Sequence, residues 1–534
     1  MPLDHFIYTF LNEMKVKKII KNIDEDIPNL SYNEVKTLLL EIEKKKDLLS
    51  PTELKMLNKY EMEFVDDVNE DNTFQLFGGK ETMFSAPQDM FNQKVKYLYA
   101  FKNEHATLYF NGIGHFNFAQ RYKPNVNNAE LYDIGFRLHG TLVDKIGYNL
   151  TVIKGGISGN RGLSITADPR LLYNYKFVED AEPIKNYDYT TGYLQYHTSP
   201  VEDMDITLEI GRDAFTIGYG YHSKLVLSEN HPDFDFFKLN FEYGIIDFTS
   251  IHASTVGQFS PEIEDRYTKY FAMNRIKFNI KDIVSASIGE VIVYSGRGLE
   301  LAYLNPLNFY KFAEMSLQDR DNGTVYMELQ SNAIKNLELQ GTFFMDENFM
   351  GEMYNMSRYT NKTAYQLGAH WYEPFSISDL SVKAEYTRIR PYVYTHKNYK
   401  TTYSSWGVPV GHEIGPNADQ IFFSAEYNLN PSIRPGLAFS YTRKGENVYD
   451  ENGNLIKNVG GDVFQTYRDE FDSETALFLD GNRVNTTEVE LNCRLEPARD
   501  IIFDFSYHYL YKDHTTENFS EDLSYLQVIM SLQF

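Results

Sequence analysis

The chain has 534 residues, a formal net charge of -24 and a single cysteine, Cys493. The negative charge argues against a nucleic-acid partner, because phosphate backbones bind basic surfaces. One cysteine excludes an internal disulfide framework. Aromatic residues make up 15% of the chain, and no run of 18 apolar residues indicates a transmembrane helix.

The first 70 residues carry the pattern of short amphipathic helices. An apolar stripe with helical spacing opens the chain at Phe6, Ile7, Phe10, Leu11 and Met14. Ser31 and Glu34 have the spacing of a capping box, and Ser50 with Glu53 repeats it with Pro51 at the first helical position. We expect a three-helix unit over residues 1–70 that docks on a larger body, because such helices bury little on their own. An independent helical adaptor on a tether is the alternative.

Residues 71–97 are poorly periodic and are interpreted as a connection. From residue 98 to residue 534, apolar and polar residues alternate with the period of a β-strand. The alternation is clearest at 206–210, 239–243, 325–330, 380–386, 421–428, 486–496 and 501–511. No linker rich in Pro, Gly or Ser divides this region, so one large barrel explains it better than two or three soluble sandwiches. At roughly 10 residues per strand plus connections, we predict an antiparallel transmembrane barrel of about 18 strands.

The last strand is typical of a membrane barrel. Its apolar face is formed by Leu526, Val528, Met530, Leu532 and Phe534, and its polar face by Tyr525, Gln527, Ser531 and Gln533. We expect this strand to close against the first one, with Phe534 in an interfacial aromatic girdle. This predicts a location in the cell outer membrane, where the helices of residues 1–70 would plug the periplasmic mouth. Met1-Pro2-Leu3-Asp4 has no signal-peptide features, so export implies that a signal has been removed.

Long connections between strands are predicted at 154–186, 223–235, 304–322, 346–362, 391–417 and 444–482. In a barrel of this class such loops lie outside the cell. No catalytic motif is present, so we expect no enzymatic activity. Glu290 interrupts the apolar run 288–292, and we expect it to face the lumen and pair with an arginine. No cofactor is indicated; Ca²⁺ is possible, but no ligand set for it can be assigned.

Three segments combine Arg, Asn, Asp and Tyr, and the last of them also contains His. These side chains suit sugar recognition, since planar polar groups bond hydroxyls in pairs and tyrosine rings stack on pyranoses. The alternative is a structural network that fills the lumen and tethers inward-folded loops. The candidate residues for either role are Arg212, Asp213, Arg297, Tyr303, Asn305, Arg388, Arg390, Tyr392, Tyr394, His396, His412, Asn417 and Asp419.

The same segments carry a family resemblance. Gly211-Arg212-Asp213, Ser295-Gly296-Arg297-Gly298 with Tyr303-Leu304-Asn305-Pro306, and Glu385-Tyr386-Thr387-Arg388 with Tyr394-Thr395-His396 follow one another in order, after the opening Pro2-Leu3-Asp4-His5-Phe6-Ile7-Tyr8. Together they resemble the capsule assembly Wzi family. The resemblance implies a closed outer-membrane barrel, blocked by helices at the periplasmic side, that binds capsular polysaccharide at the cell surface as a lectin. It assigns no individual sugar-binding residue.

The leading hypothesis is therefore a monomeric, non-catalytic surface lectin that anchors capsular polysaccharide or exopolysaccharide. A diffusion channel or transport component, and a structural subunit of an envelope complex with a protein partner, are the alternatives. Membrane lipid and lipopolysaccharide would surround the barrel. Because a surface at -24 repels uronic acids, binding of an anionic glycan should need divalent cations or an arginine cluster such as Arg388 with Arg390.

Overall fold

The computed structural model describes residues 5–21, 23–28, 30–65, 72–77, 91–143, 145–174, 177–178, 185–229, 231–258, 260, 262–281, 283–346 and 354–534. The opening motif at residues 2–4, the end of the predicted helical unit at 66–70, and most of the predicted connection, at residue 71 and 78–90, lie outside the described residues.

Three helices occupy the N-terminal part, α1 (Ile7–Val16), α2 (Tyr32–Glu43) and α3 (Pro51–Phe64). Both predicted capping boxes are confirmed, since Ser31 and Ser50 each accept a hydrogen bond from the backbone N–H three residues on, and the glutamate there accepts one in return. Shorter helices lie in the connections between strands, α4 (Arg161–Ala167), α5 (Leu301–Leu304) and α6 (Tyr310–Ser316).

The strands are β1 (Thr73–Gln75), β2 (Val95–Tyr97), β3 (Tyr99–Lys102), β4 (Ala106–Lys123), β5 (Asn127–Leu142), β6 (Ile146–Gly159), β7 (Asn186–Val201), β8 (Met204–Asp213), β9 (Phe234–Tyr243), β10 (Ile246–Val256), β11 (Thr268–Ile280), β12 (Val284–Ser295), β13 (Asn322–Ile334), β14 (Leu337–Asp346), β15 (Thr363–Tyr372), β16 (Leu380–Ile389), β17 (Ser404–Ser405), β18 (Val408–Pro409), β19 (Ala418–Tyr427), β20 (Ile433–Glu446), β21 (Val448–Tyr449), β22 (Leu455–Lys457), β23 (Asn482–Ala498), β24 (Ile501–His514) and β25 (Phe519–Gln533).

A closed antiparallel barrel of 18 strands is formed by β4 to β16, β19, β20 and β23 to β25. The last strand, β25, pairs with the first barrel strand, β4, from Ser524 opposite Lys123 to Gln533 opposite Ile113, as the sequence predicted. Strand β3 covers the remaining edge of β4, with Tyr99 opposite Phe110. Closure leaves no unpaired sheet edge, which is the condition for a strand-built membrane span. The predicted fold class and the strand number are confirmed.

The two ends of the barrel differ. Short turns, such as those at Asp203 and Asn336, join the strands at one end, which we call the short-turn end. At the opposite, long-loop end the connections include the inner loop (214–233), the outer-wall loop (296–321), the cap loop (390–417) and the chain between β20 and β23. None of the helices among the described residues is long and apolar enough to cross a membrane.

The lumen is filled from both ends. The inner loop enters from the long-loop end, where the backbone N–H of Gly218 donates to the Asp26 carbonyl at 2.8 Å and Lys224 Nζ donates to the Glu25 carbonyl at 3.2 Å. Ile27 and Leu225 share one buried apolar cluster with side chains of the barrel wall. The segment after α1 and the inner loop therefore meet inside the barrel.

Buried ion pairs hold the helices against the short-turn end. Glu53, at the start of α3, accepts hydrogen bonds from Lys17 Nζ at 2.8 and 2.9 Å and from the Tyr372 hydroxyl at 2.9 Å. Lys17 also reaches Glu373 at 3.1 Å. Both Glu53 and Lys17 are buried, so breaking their ion pair would leave an unpaired charge away from water, at a high cost in free energy.

We expect Glu53→Gln to loosen the helices, because Lys17 then keeps only one carboxylate in a buried site. Losing one partner of a buried pair costs about 3–5 kcal/mol. Hydrogen exchange of α3 in the detergent-solubilised protein should accelerate strongly. Glu43→Gln is the matched control, since it breaks only the exposed pair with Lys46, worth at most about 1 kcal/mol. Equal exchange in the two variants would contradict this account of docking.

Candidate functional site

All the candidate residues proposed from the sequence lie at the long-loop end, but they do not form one site. Arg212 and Asp213 end β8. Arg212 Nη1 contacts Asp235 Oδ1 at 2.9 Å with both side chains about half exposed, and Asp213 accepts a hydrogen bond from the backbone N–H of Ala214. These two residues fix the point where the inner loop leaves the strand.

Arg297, Tyr303 and Asn305 belong to the outer-wall loop. Arg297 forms a bidentate pair with Asp321 at 2.6 and 2.8 Å, and the Tyr303 hydroxyl donates to the same carboxylate at 2.8 Å. Asn305 Nδ2 donates to Asn308 Oδ1 at 3.1 Å. Arg297 and Tyr303 therefore hold the beginning of the loop against its end, whereas the hydrogen bond of Asn305 lies within the loop.

Glu290 differs from the expectation. It lies on the same side of β12 as Ile292 and Tyr294, opposite Val291 and Val293, which are in the lumen cluster. Its carboxylate therefore points to the outside of the barrel. The expected lumen-facing pair with an arginine is wrong, because Glu290 accepts hydrogen bonds from the first backbone N–H groups of α6, at 2.7 and 3.1 Å.

Arg388 and Arg390 do not form an exposed pair. Arg388 lies near the end of β16 with its guanidinium 3.8 Å from the Phe478 ring centroid. Arg390 is only 8% exposed and donates from Nε to the Asn361 carbonyl at 2.9 Å and from Nη2 to the Met356 carbonyl. Arg388 therefore lies on the strand, whereas Arg390 lies at the start of the cap loop and is engaged by backbone carbonyls.

Asp419 is tied into the wall beside them. It accepts two hydrogen bonds from Arg443, at 2.6 and 2.9 Å, and one from the Tyr386 hydroxyl at 3.3 Å. Only 3% of Asp419 is exposed. Its lone pairs are therefore engaged by neighbouring strands, and it serves as a link between β16, β19 and β20.

The cap loop is anchored by Tyr394. Its hydroxyl donates to the Leu225 carbonyl at 2.7 Å, its backbone N–H donates to Asp346 at 2.6 Å, and its ring stacks on Tyr403. Tyr392 and Tyr394 both have positive φ, 65° and 70°, a conformation that costs about 1–3 kcal/mol in a residue other than glycine. Buried hydrogen bonds offset this strain and fix the cap loop on the inner loop.

The remaining candidates are buried tethers. Asn417 donates to the carbonyls of Gly445 and Asp480, at 2.8 and 3.1 Å, and accepts from the Leu479 backbone at 2.7 Å. His396 Nδ1 lies 2.6 Å from the Thr401 hydroxyl. The Asn417 contacts connect loops that are far apart in the sequence, whereas the His396 contact lies within the cap loop. Both are buried beneath the outer surface.

A partly exposed aromatic surface lies above these tethers, and sequence reasoning missed it. Tyr359 and Tyr467 stack with ring centroids 3.6 Å apart at an angle of 8°. Arg468 pairs with Asp472 at 2.7 Å and lies 5.7 Å from the ring of Phe471, which is 77% exposed. We call Tyr359, Tyr467, Arg468 and Phe471 the aromatic rim. The repeated mixture of Tyr, Phe, Arg and Asp within 464–472 was the available signal.

Two of the predicted residues position the aromatic rim. Tyr392 packs edge-on against both stacked rings, at 5.9 and 6.0 Å, and its hydroxyl donates to the Asn458 carbonyl at 3.2 Å. Arg390 holds the chain on both sides of Tyr359, through the carbonyls of Met356 and Asn361. The backbone N–H of Tyr359 donates to the Glu474 carbonyl at 3.0 Å, which joins the two loops that carry the rim.

Charges of both signs border the aromatic rim. The hydrogen bonds that Arg468 donates to the Asp472 carboxylate raise the pKa of its guanidinium, which is therefore cationic at all physiological pH values. Arg358 Nη2 lies 3.9 Å from Glu474, and both side chains are exposed. Among the residues that the structure describes, no group of three or more His, Cys, Asp or Glu side chains is placed to hold a metal ion.

Comparison with known proteins defines the class and then the family. The closed 18-strand barrel is the architecture of outer-membrane β-barrel proteins. The family model described as "Capsule assembly protein Wzi" matches residues 178–498, and the chain belongs to this family. No curated protein sequence matches the chain significantly.

Solved structures resemble the chain to different degrees, and the first one shares its fold. Wzi from Escherichia coli, described as an outer-membrane protein involved in group 1 capsule assembly and as a carbohydrate-binding β-barrel, aligns with a TM-score of 0.59 and 11% identity, over 99% of this chain and 98% of that one. The outer-membrane protein OprD of Pseudomonas aeruginosa aligns with a TM-score of 0.45 and 11% identity, over 82% of this chain and 94% of that one.

One ion pair between the inner loop and the cap loop is sensitive to pH. His222 Nε2 lies 2.7 Å from Glu413 Oε1, and its ring stacks on Phe422. Burial lowers the pKa of His222, but the hydrogen bond and the charge of Glu413 outweigh burial and raise it above its ordinary value. Burial, helped by the charge of His222 and opposed by that of Glu413, lowers the pKa of neighbouring His412 to about 3, so that ring stays neutral.

The stabilisation from the His222 pair is complete below the unfolded histidine pKa of about 6.5 and is lost as pH rises through the higher folded value. We therefore expect the melting temperature of wild type to exceed that of Glu413→Gln most clearly near pH 5.5 and less at pH 8.5. Glu451→Gln, at an exposed carboxylate of another loop, is the control. If the melting temperatures of wild type and Glu413→Gln differ by the same amount at every pH in this range, His222 does not form a pH-dependent ion pair with Glu413.

Proposed function

We propose that this protein is a non-catalytic glycan-binding protein of the outer membrane that anchors capsular polysaccharide or exopolysaccharide to the cell surface. In this proposal the long-loop end faces outwards, and the short-turn end with α1 to α3 faces the periplasm. The observation that carries the proposal is the aromatic rim, in which the exposed ring of Phe471 and the half-buried Tyr359, Tyr467 and Arg468 are held by buried tethers at the long-loop end.

The chemistry of the aromatic rim suits a sugar polymer. Exposed rings such as Phe471 can stack on the apolar faces of pyranoses, and a guanidinium such as that of Arg468 can donate paired hydrogen bonds to hydroxyls or a uronate. The stacked rings of Tyr359 and Tyr467 are already ordered by their contacts with each other and with Tyr392, so little side-chain entropy is lost when a ligand binds. A family member described as a carbohydrate-binding barrel supports the same role.

The filled lumen favours binding over transport. Between the inner loop and α1 the lumen contains a polar cavity of about 190 Å³, lined by residues that include Tyr8, Tyr219 and Lys224. This volume is below the roughly 300–1,000 Å³ of typical small-molecule sites. A solute crossing the barrel would also have to displace the hydrogen bonds between Gly218 and Asp26 and between Lys224 and Glu25.

The acidic balance of the chain affects which glycans can bind. With a net charge of -24, an anionic polymer needs divalent cations or local positive charge to approach. Because Arg390 is buried on backbone carbonyls, the pair expected from the sequence is not available for this role. In the proposal this role falls to the partly exposed guanidiniums of Arg468, in the aromatic rim, and of Arg358 next to it.

We expect Phe471→Ala to weaken the binding of capsular polysaccharide by about three- to tenfold, which corresponds to the loss of one ring–sugar stack, whereas Phe471→Tyr should keep most of it. Binding would be measured with the purified protein against a panel of capsular polysaccharides, with and without a chelator. For acidic polymers we expect further weakening when the chelator is present.

The control is Phe375→Ala, which removes an 81% exposed phenylalanine from the short-turn end. It should leave binding unchanged. If Phe471→Ala binds every polymer of the panel as tightly as Phe375→Ala, the aromatic rim is not the binding surface.

A further inference from the structure

The outer-wall loop covers polar side chains on the outside of the barrel. On the outward side of β10 to β12 lie Ser250, Asn274 and Glu290, where a lipid-facing wall is normally apolar. The loop engages them all. Asn274 Nδ2 donates to the carbonyls of Pro306 and Asn308, at 3.2 and 3.0 Å. Ser250 Oγ lies 3.4 Å from the Tyr310 hydroxyl, and Glu290 accepts the backbone hydrogen bonds of α6 described above.

These contacts place the tip of the loop well below the rim of the barrel. Glu290 lies five residues from the upper end of β12, and Asn274, its partner in the strand register, lies six residues from that of β11. At a rise of roughly 3.3 Å per residue this is about 16–20 Å along the strands. With a strand tilt of about 35–45°, the tip lies about 11–16 Å below the strand ends, and the apolar band of such a barrel is about 25 Å tall.

The side of the loop that faces the barrel covers these polar side chains, and the opposite side of the loop is apolar. Tyr303 and Tyr310 are fully buried against Ile292 and Tyr294 of the wall. Facing away from the wall are large apolar side chains that remain mostly exposed, Leu301 (77%), Leu307 (89%), Phe309 (64%), Phe312 (73%) and Met315 (61%). Such a concentration of exposed apolar residues marks an interaction surface.

We propose that the tip of the outer-wall loop, residues 301–315, is embedded among the acyl chains of the outer leaflet and forms part of the lipid-facing surface of the protein. The proposal rests on the proposed position of the barrel in the outer membrane. Lipid acyl chains are the occupant because the apolar tip continues the outward apolar surface of the wall beneath it, which includes Ile288, Met327 and Leu329.

The distribution of charge along the loop agrees with this depth. The Arg297 and Asp321 pair and the exposed Arg320 lie at the two ends of the loop, next to the strand ends at the rim. At the tip the one cation, Lys311, is neutralised by Glu314 at 2.5 Å. Charged residues are therefore at the height of the lipid headgroups and apolar residues are below them, as at the interfaces of other membrane proteins.

A fluorescence experiment tests the proposal in the full chain. In a Cys493→Ser background, Phe312→Cys and, separately, Leu307→Cys would be labelled with an environment-sensitive dye and reconstituted into phosphatidylcholine vesicles that contain doxyl-labelled acyl chains. We expect efficient quenching by the doxyl lipids and several-fold weaker quenching by aqueous iodide than for a label at Phe471→Cys on the aromatic rim.

Ile134→Cys, at a 75% exposed outward residue of β5, is the positive control. If this label is not quenched by doxyl lipids, the membrane position itself is wrong. If Ile134→Cys is quenched by the lipids but the labels at 307 and 312 respond to iodide as the label at 471 does, the outer-wall loop is in water and the inference is overturned. Protection of the two loop labels from both quenchers would indicate that a protein surface, such as a second copy of this chain, covers the loop, and would equally overturn it.

Discussion

The structure depends on opposite charges buried together in the middle of the barrel. Asp26, from the segment after α1, is fully buried against Arg275 and Lys277 of β11, and Arg275 also pairs with Asp247 of β10. Removing one member of such a cluster leaves an uncompensated charge away from water, at a cost of about 3–5 kcal/mol. The N-terminal segment is therefore part of the barrel interior, and the inner loop, which bonds to the Asp26 backbone, is held at a fixed depth.

Filling the lumen has a consequence for the outer surface. Because the inner loop is fixed inside, the cap loop can rest on it through Tyr394, and the chain between β20 and β23 can rest on the cap loop through Tyr392 and Asn417. Each layer provides buried hydrogen-bond partners for the next. The outermost layer presents the aromatic rim, so the binding surface that we propose is supported by the interactions that close the barrel. A rigid support of this kind favours recognition of an extended polymer.

Much of the fold could be predicted because its signals are local. The alternation in the last strand and the capping boxes at Ser31 and Ser50 each involve residues a few positions apart, and they identified the barrel and two of the helices correctly. The side of β12 on which Glu290 lies could not be predicted from the alternation of apolar and polar residues. Val291, Ile292 and Val293 are all apolar, since one side of β12 faces a filled lumen and the other lies under the outer-wall loop, and the alternation is lost.

The candidate site was predictable only in part for a related reason. The segments rich in Arg and Tyr lie at the long-loop end of the barrel, but whether a loop side chain is buried or exposed depends on partners distant in the sequence. Arg390 is buried by the carbonyl of Asn361, and Asn417 by the backbone of Asp480. The aromatic rim is exposed because these tethers lie beneath it, and single-sequence patterns do not contain that information.

The central claim is that this barrel is filled and acts at its outer surface, and single-channel recording in planar bilayers tests it most directly. The full chain should insert without producing open-channel steps. An open porin of known conductance, reconstituted in the same bilayers, serves as the positive control for insertion and recording. Steady conductance steps of porin size from the full chain would contradict the account and make transport the primary function.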